Sequence, residues 1–241
     1  MTYFTFLVVV LLPPILVLGT MVYRVRGGLN LGSALRAVVF LVVIAVVYTT
    51  PWDNYLIYRG VWSYGEDRVL GVIGFVPVEE YGFMALQALM TGLITLWMYR
   101  GVDRTEAVSR PVYLAGLAVW IAVTVCGVWM LVSGADRWLY LGLILAWAGP
   151  VLAGTWWLGG RRFGTIGWRY VAACGIPSVY LWVWDAFAIG DGIWEISDWY
   201  TVGLEPGGLP IEEAMFFLLT NVLVVHGVLL FWKTSLYMKN P

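Results

Sequence analysis

The sequence predicts an all-α, polytopic membrane protein: seven transmembrane helices, arranged as two parallel three-helix repeats joined by a linker helix. Three observations predict it. Of 241 residues, 61% are hydrophobic and only 12% are charged, and mean hydropathy is +0.82; a soluble domain is nearer half apolar and a quarter charged. Apolar runs of about 20 residues, enough to cross ~30 Å of hydrocarbon, recur along the chain. Two segments far apart in sequence also share the same uncommon residues at matched spacing.

The spans fall at 2–23, 31–50, 77–99, 111–132, 138–158, 169–187 and 210–232. They are apolar on all sides, without the alternation of strands, so helices are expected. Proline opens three of them (Pro77, Pro111 and Pro210), where its missing N–H costs least. The N-terminal run lacks the basic leader of a cleaved signal peptide and is long enough to remain as a span. So few charges cannot cover a water-facing surface, which disfavours a soluble enzyme, a nucleic-acid-binding protein and a disordered scaffold. The net charge of −1 implies no strongly acidic or basic partner. Cys126 and Cys174 have no metal or redox spacing and read as packing residues.

Orientation follows from the basic residues. Arg24, Arg26, Arg36, Arg100, Arg104, Arg110, Arg161, Arg162, Arg169, Lys233 and Lys239 fall on one side, and Arg59, Arg68 and Arg137 on the other. A multi-pass protein of the cell membrane is expected, with its N-terminus outside and its C-terminus cytoplasmic.

Both long loops, 51–76 and 185–209, then lie outside, and they align. Trp52-Asp53 matches Trp184-Asp185 at an offset of 132 residues, as Ile57, Gly60, Trp62 and Gly71 match Ile189, Gly192, Trp194 and Gly203. One residue is then inserted. At an offset of 133, Gly74, Pro77, Glu79, Glu80 and Phe83 match Gly207, Pro210, Glu212, Glu213 and Phe216. The chain therefore divides into a first repeat over 1–100, a linker helix over 111–133 and a second repeat over 138–241, related by a pseudo-two-fold axis along the membrane normal.

Each outer loop ends in Pro-x-Glu-Glu. With proline at the first helical position, Glu79 and Glu212 cap backbone donors and meet the positive end of the helix dipole; a single such motif would be read as a cap. Glu80 and Glu213, about 100° further round, do not share that role fully. Carboxyls at a hydrocarbon boundary are costly unless paired, solvated or functional. Brought together near the axis, they form a group in which one acid keeps its proton beside an ionised neighbour, a general acid with a general base. Asp53 and Asp185 add a third acid per half.

Aromatic residues crowd the same loops. Most of the tryptophans belong to an interfacial belt, but the repeated Trp52, Trp62, Trp184 and Trp194 also suit shelter of a cation. His226, Asn221 and Gln87 read as interhelical packing contacts. There is no dinucleotide fingerprint, nucleotide-binding loop or histidine cluster.

Duplicated outer loops with Trp-Asp and Pro-x-Glu-Glu-x-x-Phe, on seven spans, resemble the membrane-integral lycopene cyclases over essentially the whole chain. The resemblance implies cyclisation of the ψ-ends of lycopene to β-rings, giving γ-carotene and then β-carotene, with no cofactor and no metal. It implies proton chemistry by Glu79, Glu80, Glu212 and Glu213, with Asp53 and Asp185 as donors or supports. Contacts with substrate are expected from Trp52, Asn54, Tyr55, Trp62, Phe83, Trp184, Phe187, Trp194 and Phe216. Asn54 follows the first Asp where Ala186 follows the second, so the halves are not interchangeable. The partners implied are lycopene, other linear carotenoids and membrane lipid, with no nucleic acid.

Rivals from other classes fare less well. A small-solute transporter of the parallel 3 + 1 + 3 plan needs polar groups near the bilayer midplane, whereas these acids cluster at one edge. A retinal photoreceptor needs a lysine within the seventh helix, and Lys233 and Lys239 lie at or beyond its end. A purely structural carotenoid-binding protein would leave the pigment's bonds unchanged.

Overall fold

The computed structural model of the protein describes residues 1–24, 30–99, 107–163 and 167–235. Among them, seven helices are long and apolar enough to cross a membrane. They are α1 (Tyr3–Arg24), α2 (Leu31–Tyr58), α3 (Val78–Met98), α4 (Arg110–Val132), α5 (Leu139–Phe163), α6 (Trp168–Gly190) and α7 (Ile211–Ser235). Arg26, Arg100, Arg104 and Lys239, used above for orientation, lie outside the described residues.

The central helices are α3 and α7, which are buried along most of their length. Polar side chains join them. Gln87 Nε2 donates to Thr220 Oγ1 (2.8 Å), Thr91 Oγ1 to Asn221 Oδ1 (2.7 Å), and Asn221 Nδ2 to Ser178 Oγ on α6 (3.0 Å). In lipid such bonds supply part of the association that a hydrophobic effect provides in water. By contrast α4 is peripheral and lies closely along α5. A Cβ on Gly127 would come within 2.4 Å of Ala146 N, and one on Gly149 within 2.5 Å of Thr124 Oγ1; small residues permit this approach.

Several helices run further than the apolar pattern predicts, and in α2 and α6 the extension bears on the acids. α2 continues through Pro51 to Tyr58, so Trp52, Asp53, Asn54 and Tyr55 sit on helix rather than in the loop. Side chains support the backbone around the proline: Thr50 Oγ1 donates to Val46 O (2.6 Å) and Asn54 Nδ2 to Thr50 O (2.8 Å). Such substitution is how proline is accommodated inside membrane helices. Likewise α6 extends to Gly190 and carries Asp185 inward. Charge marked these residues as loop, yet both aspartates are buried.

The prolines also sit one position off. Pro77 is the N-cap of α3, and Pro210 precedes α7, rather than opening the helices. Pro77 is extended because it pairs with Val72 in a hairpin between β2 (Val72–Ile73) and β3 (Val76–Pro77). Pro111 is the second residue of α4.

Outside the helices, β1 (Trp62–Tyr64) pairs antiparallel with β4 (Trp194–Ile196). The register Trp62↔Ile196, Ser63↔Glu195, Tyr64↔Trp194 maps onto itself when the two loops are exchanged. Flanking bonds recur in the same way: Gly65 N donates to Ile193 O and Ser197 N to Val61 O, while Val61 N donates to Leu56 O and Ile193 N to Ala188 O. Gly60 and Gly192 both have positive φ (71° and 65°), as the turn leaving each helix requires. Val78 N donates to Gly71 O, and Ile211 N to Leu204 O. Gly71 is therefore the counterpart of Leu204, and the inserted residue lies one position earlier than the sequence alignment suggests.

A correspondence that the sequence alignment missed joins α1 to α5. Tyr48 Oη donates to Trp147 O (2.9 Å), and Tyr180 Oη to Val10 O (2.7 Å). Pro14 cannot donate to Val10 O, and Tyr180 supplies that bond beside a π-turn at Leu7–Leu11.

Candidate active site

All six acids of the two motifs are buried; Asp53 is 1% exposed and Glu212 0%. The first glutamate of each pair faces its own loop. Glu79 Oε1 accepts from Leu70 N (2.8 Å) and Glu212 Oε1 from Val202 N (2.8 Å), while the second oxygen of each is buried without a partner. Because the proline lies before the helix, these glutamates are second in it, and reach the incoming loop rather than their own cap. They hold each repeated loop over the helix start.

The second glutamate of each pair, a further ~100° round, faces the interior. Glu80 Oε2 accepts from Tyr3 Oη (2.7 Å) and Tyr64 Oη (3.2 Å). Glu213 Oε1 accepts from Tyr140 Oη (2.5 Å). Tyr3 opens α1 and Tyr140 opens α5, so one tyrosine per half reaches one inward glutamate. The position matching Tyr64 holds Ile196, so Glu213 has no second phenol. Burial, and then Glu80 beside it, push the Tyr64 hydroxyl well above the usual phenol value; Tyr64 remains a donor throughout the neutral range.

Both inward glutamates line one cavity of about 30 Å³ together with Asp185. Its remaining walls are mainly aromatic: Tyr3 in ring contact with Tyr64 and Trp194, Trp62 with Phe216, and Phe83 with Phe217. Asp185 Oδ1 accepts from Trp194 Nε1 (3.0 Å). The matching pair behaves differently. Both oxygens of Asp53 and the indole nitrogen of Trp62 are buried without hydrogen-bond partners, although Asp53 lies within electrostatic reach of Glu80 and Glu213. An unpaired buried carboxyl is expensive, and such strain concentrates where chemistry is done.

Trp52 stacks on Phe216 (5.4 Å between centroids, 7° between planes) and on Trp147 (5.3 Å). Several expected contact residues are elsewhere. Tyr55 and Phe187 are largely exposed at the outer rim; Trp184 packs on Tyr180 and Phe187. Asn54 Oδ1 accepts from Phe75 N (3.0 Å), close under Gly74, whose positive φ of 69° leaves no room for a Cβ beside that oxygen. Asn54 thus braces the loop. His226 is fully buried between Thr155 (2.8 Å) and Tyr170 (2.7 Å), far along α7 from the glutamates, and ties α5, α6 and α7 together.

A duplicated constellation of buried acids fed by phenols is specific enough to compare with known proteins. The sequence matches the lycopene cyclase family over residues 1–98 and 137–231, the two stretches flanking α4. The chain belongs to the lycopene cyclase family. It is 41% identical to the lycopene beta-cyclase of Halobacterium salinarum over 95% of both chains. It is 35% identical to the bifunctional lycopene cyclase/phytoene synthase of Gibberella fujikuroi, covering 79% of this chain but 34% of that longer protein. No solved structure matches the fold closely enough to extend the comparison.

The sequence marks Tyr64 only as one of the aromatic residues crowding the first loop, and does not mark Tyr3 or Tyr140. Each of Tyr3 and Tyr140 opens a span, with Pro14 and Pro150 a similar distance behind; that weak signal was the one available.

Proposed function

We propose that the chain is a lycopene β-cyclase, an isomerising enzyme that closes the ψ-ends of lycopene into β-rings by acid–base chemistry, through γ-carotene to β-carotene. The observation that carries this reading is the single small cavity in which carboxyls from both halves meet among aromatic walls, buried from bulk water.

The reaction needs one proton in and one proton out. A carboxylic acid delivers H⁺ to the terminal double bond, forming a C–H bond and a tertiary cation. The neighbouring double bond attacks that cation, closing the ring and moving the charge to a ring carbon. A carboxylate then removes a ring proton, and the electrons of that C–H bond become the new double bond. No electrons are gained or lost overall. Aromatic faces stabilise the cation without reacting with it, and a dry cavity keeps water from capturing it.

The hydrogen bonds support a division of labour. Glu80, with two phenol donors, is suited to carry negative charge as the base. Glu213, with one, is suited to carry the proton, and Asp53 and Asp185 exchange protons with the pair. Glu79 and Glu212 act by holding the loops. Recurrence of loop, strand and tyrosine contacts supports a duplicated unit with α4 as linker. The basic residues Arg24, Arg36, Arg110, Arg161 and Arg169 lie at the end of the bundle away from the acids, which supports an outward-facing site in the cell membrane with the N-terminus outside.

Expression in cells that accumulate lycopene tests the reading. Red pigment should be converted to β-carotene, resolved by chromatography; lycopene left unchanged by folded, membrane-inserted protein would refute it.

A further inference from the structure

A second, larger cavity of about 300 Å³ lies between α2, α3, α5 and α7. Its wall is almost wholly apolar, with Gln87, Thr220, Thr155 and Thr49 as the polar exceptions. Phe216 lines this cavity and the small carboxyl-lined one, so a single ring separates them. From Phe216 the cavity follows α7 to Phe231, about 22 Å of helix rise. There Phe40 and Phe231 meet edge to face at 5.3 Å and close it. Phe40, Ile44 and Tyr48 are also exposed on the bundle's outer face, which makes the α2 side a mouth open to lipid.

At the pseudo-symmetric position, between α6, α7, α1 and α3, larger or polar residues stand where the groove has smaller ones. Ala88 in the groove has Asn221 as its counterpart, bonded to Thr91 and Ser178. Ala45 corresponds to Pro177, Thr49 to Leu181 and Met84 to Phe217, all three counterparts buried. Among the described residues, the groove that runs up to the small carboxyl-lined cavity lies on the side with the smaller residues.

Resting on the cyclase reading above, we propose that this groove is the one binding site for the linear polyene, with Phe216 as the gate through which an end reaches the acids. The occupant follows from its walls: long, narrow, apolar, entered from lipid and ending at proton donors. Both rings are then closed by the same acids. Because a single groove presents a single end, the monocyclic product must leave and return reversed before the second ring is made.

The test uses the full chain in liposomes loaded with lycopene. Ala45→Trp, and separately Ala88→Leu, obstruct the groove without touching an acid, and melting temperatures identify folded variants. The variants should lose formation of γ-carotene and β-carotene together, by tenfold or more, and Ala88→Leu should act mainly through KM. With lycopene in large excess over wild-type enzyme, γ-carotene should accumulate before β-carotene appears. Two results would overturn the inference: folded variants that keep wild-type rates or lose the second ring alone, and β-carotene forming without free γ-carotene at any lycopene excess. If the wild-type protein leaves lycopene unchanged, the cyclase reading itself fails.

Discussion

Replacing Glu213 by glutamine separates the chemistry from the architecture. Glutamine keeps an Oε1 that can accept from Tyr140, now 2.5 Å away, and keeps the side chain's volume. What it loses is the exchangeable acid proton. Loss of a general acid or base typically slows a reaction by about 10²–10⁴-fold, or roughly 2.7–5.4 kcal/mol of transition-state stabilisation. The structural cost is smaller: a buried amide N–H lacks a partner, about 1–3 kcal/mol. Glu212→Gln is the matched control. Its amide oxygen can still accept from Val202 N, 2.8 Å away, so turnover should fall less than about tenfold, ~1.4 kcal/mol. Initial rates of lycopene consumption in liposomes, with melting temperatures in parallel, measure both. Wild-type turnover in Glu213→Gln, with most activity lost in an equally stable Glu212→Gln, would refute the assignment of the inward glutamates.

Other outcomes follow from the same geometry. Trp194→Phe leaves Asp185 Oδ1 without its 3.0 Å donor; rates should fall and stability drop by about 1–3 kcal/mol, read by activity and melting together. Trp52→Leu removes the ring stacked on Phe216, and pigment chromatography should reveal alcohols from water capture of the cation. Burial and Glu80 raise the Tyr64 hydroxyl above its ordinary value, so the folded state holds that proton more tightly than the unfolded one. Its stabilisation is then complete below about pH 10 and is lost as pH climbs further; Tyr64→Phe should flatten the alkaline fall in melting temperature. Gly74→Ala places a Cβ 2.5 Å from Asn54 Oδ1 at a positive φ and should destabilise the loop before α3 by more than about 1 kcal/mol, measured by thermal melt.

The helices were legible because a bilayer imposes a length and an apolar composition that a sequence must display. The alignment of the two loops stands out because Trp, Asp, Pro and Glu are minority residues here and chance does not align them. Helix ends were read short at α2, α5 and α6. Hydropathy falls where Asp53 and Asp185 occur, yet packing against the opposite half carries those acids inside the bundle. The sequence set Glu79 apart from Glu80 as a helix cap, but not as the residue that holds the incoming loop. Their roles differ by 100° of helix and by a proline that sits before the helix rather than in it. Tyr3 and Tyr140 escaped notice because they come from helices whose remaining residues share almost no identity; their equivalence lies in backbone contacts, such as those received from Tyr48 and Tyr180. The groove depends on which apolar residues are small, and both halves read as equally greasy.

Mass spectrometry of β-carotene formed from unlabelled lycopene in D₂O tests most directly whether a buried acid in exchange with solvent protonates the alkene. One deuteron from the medium should be retained in each ring, giving a bicyclic product two mass units heavier and a γ-carotene one unit heavier. β-Carotene formed at full rate with no deuterium would contradict the account.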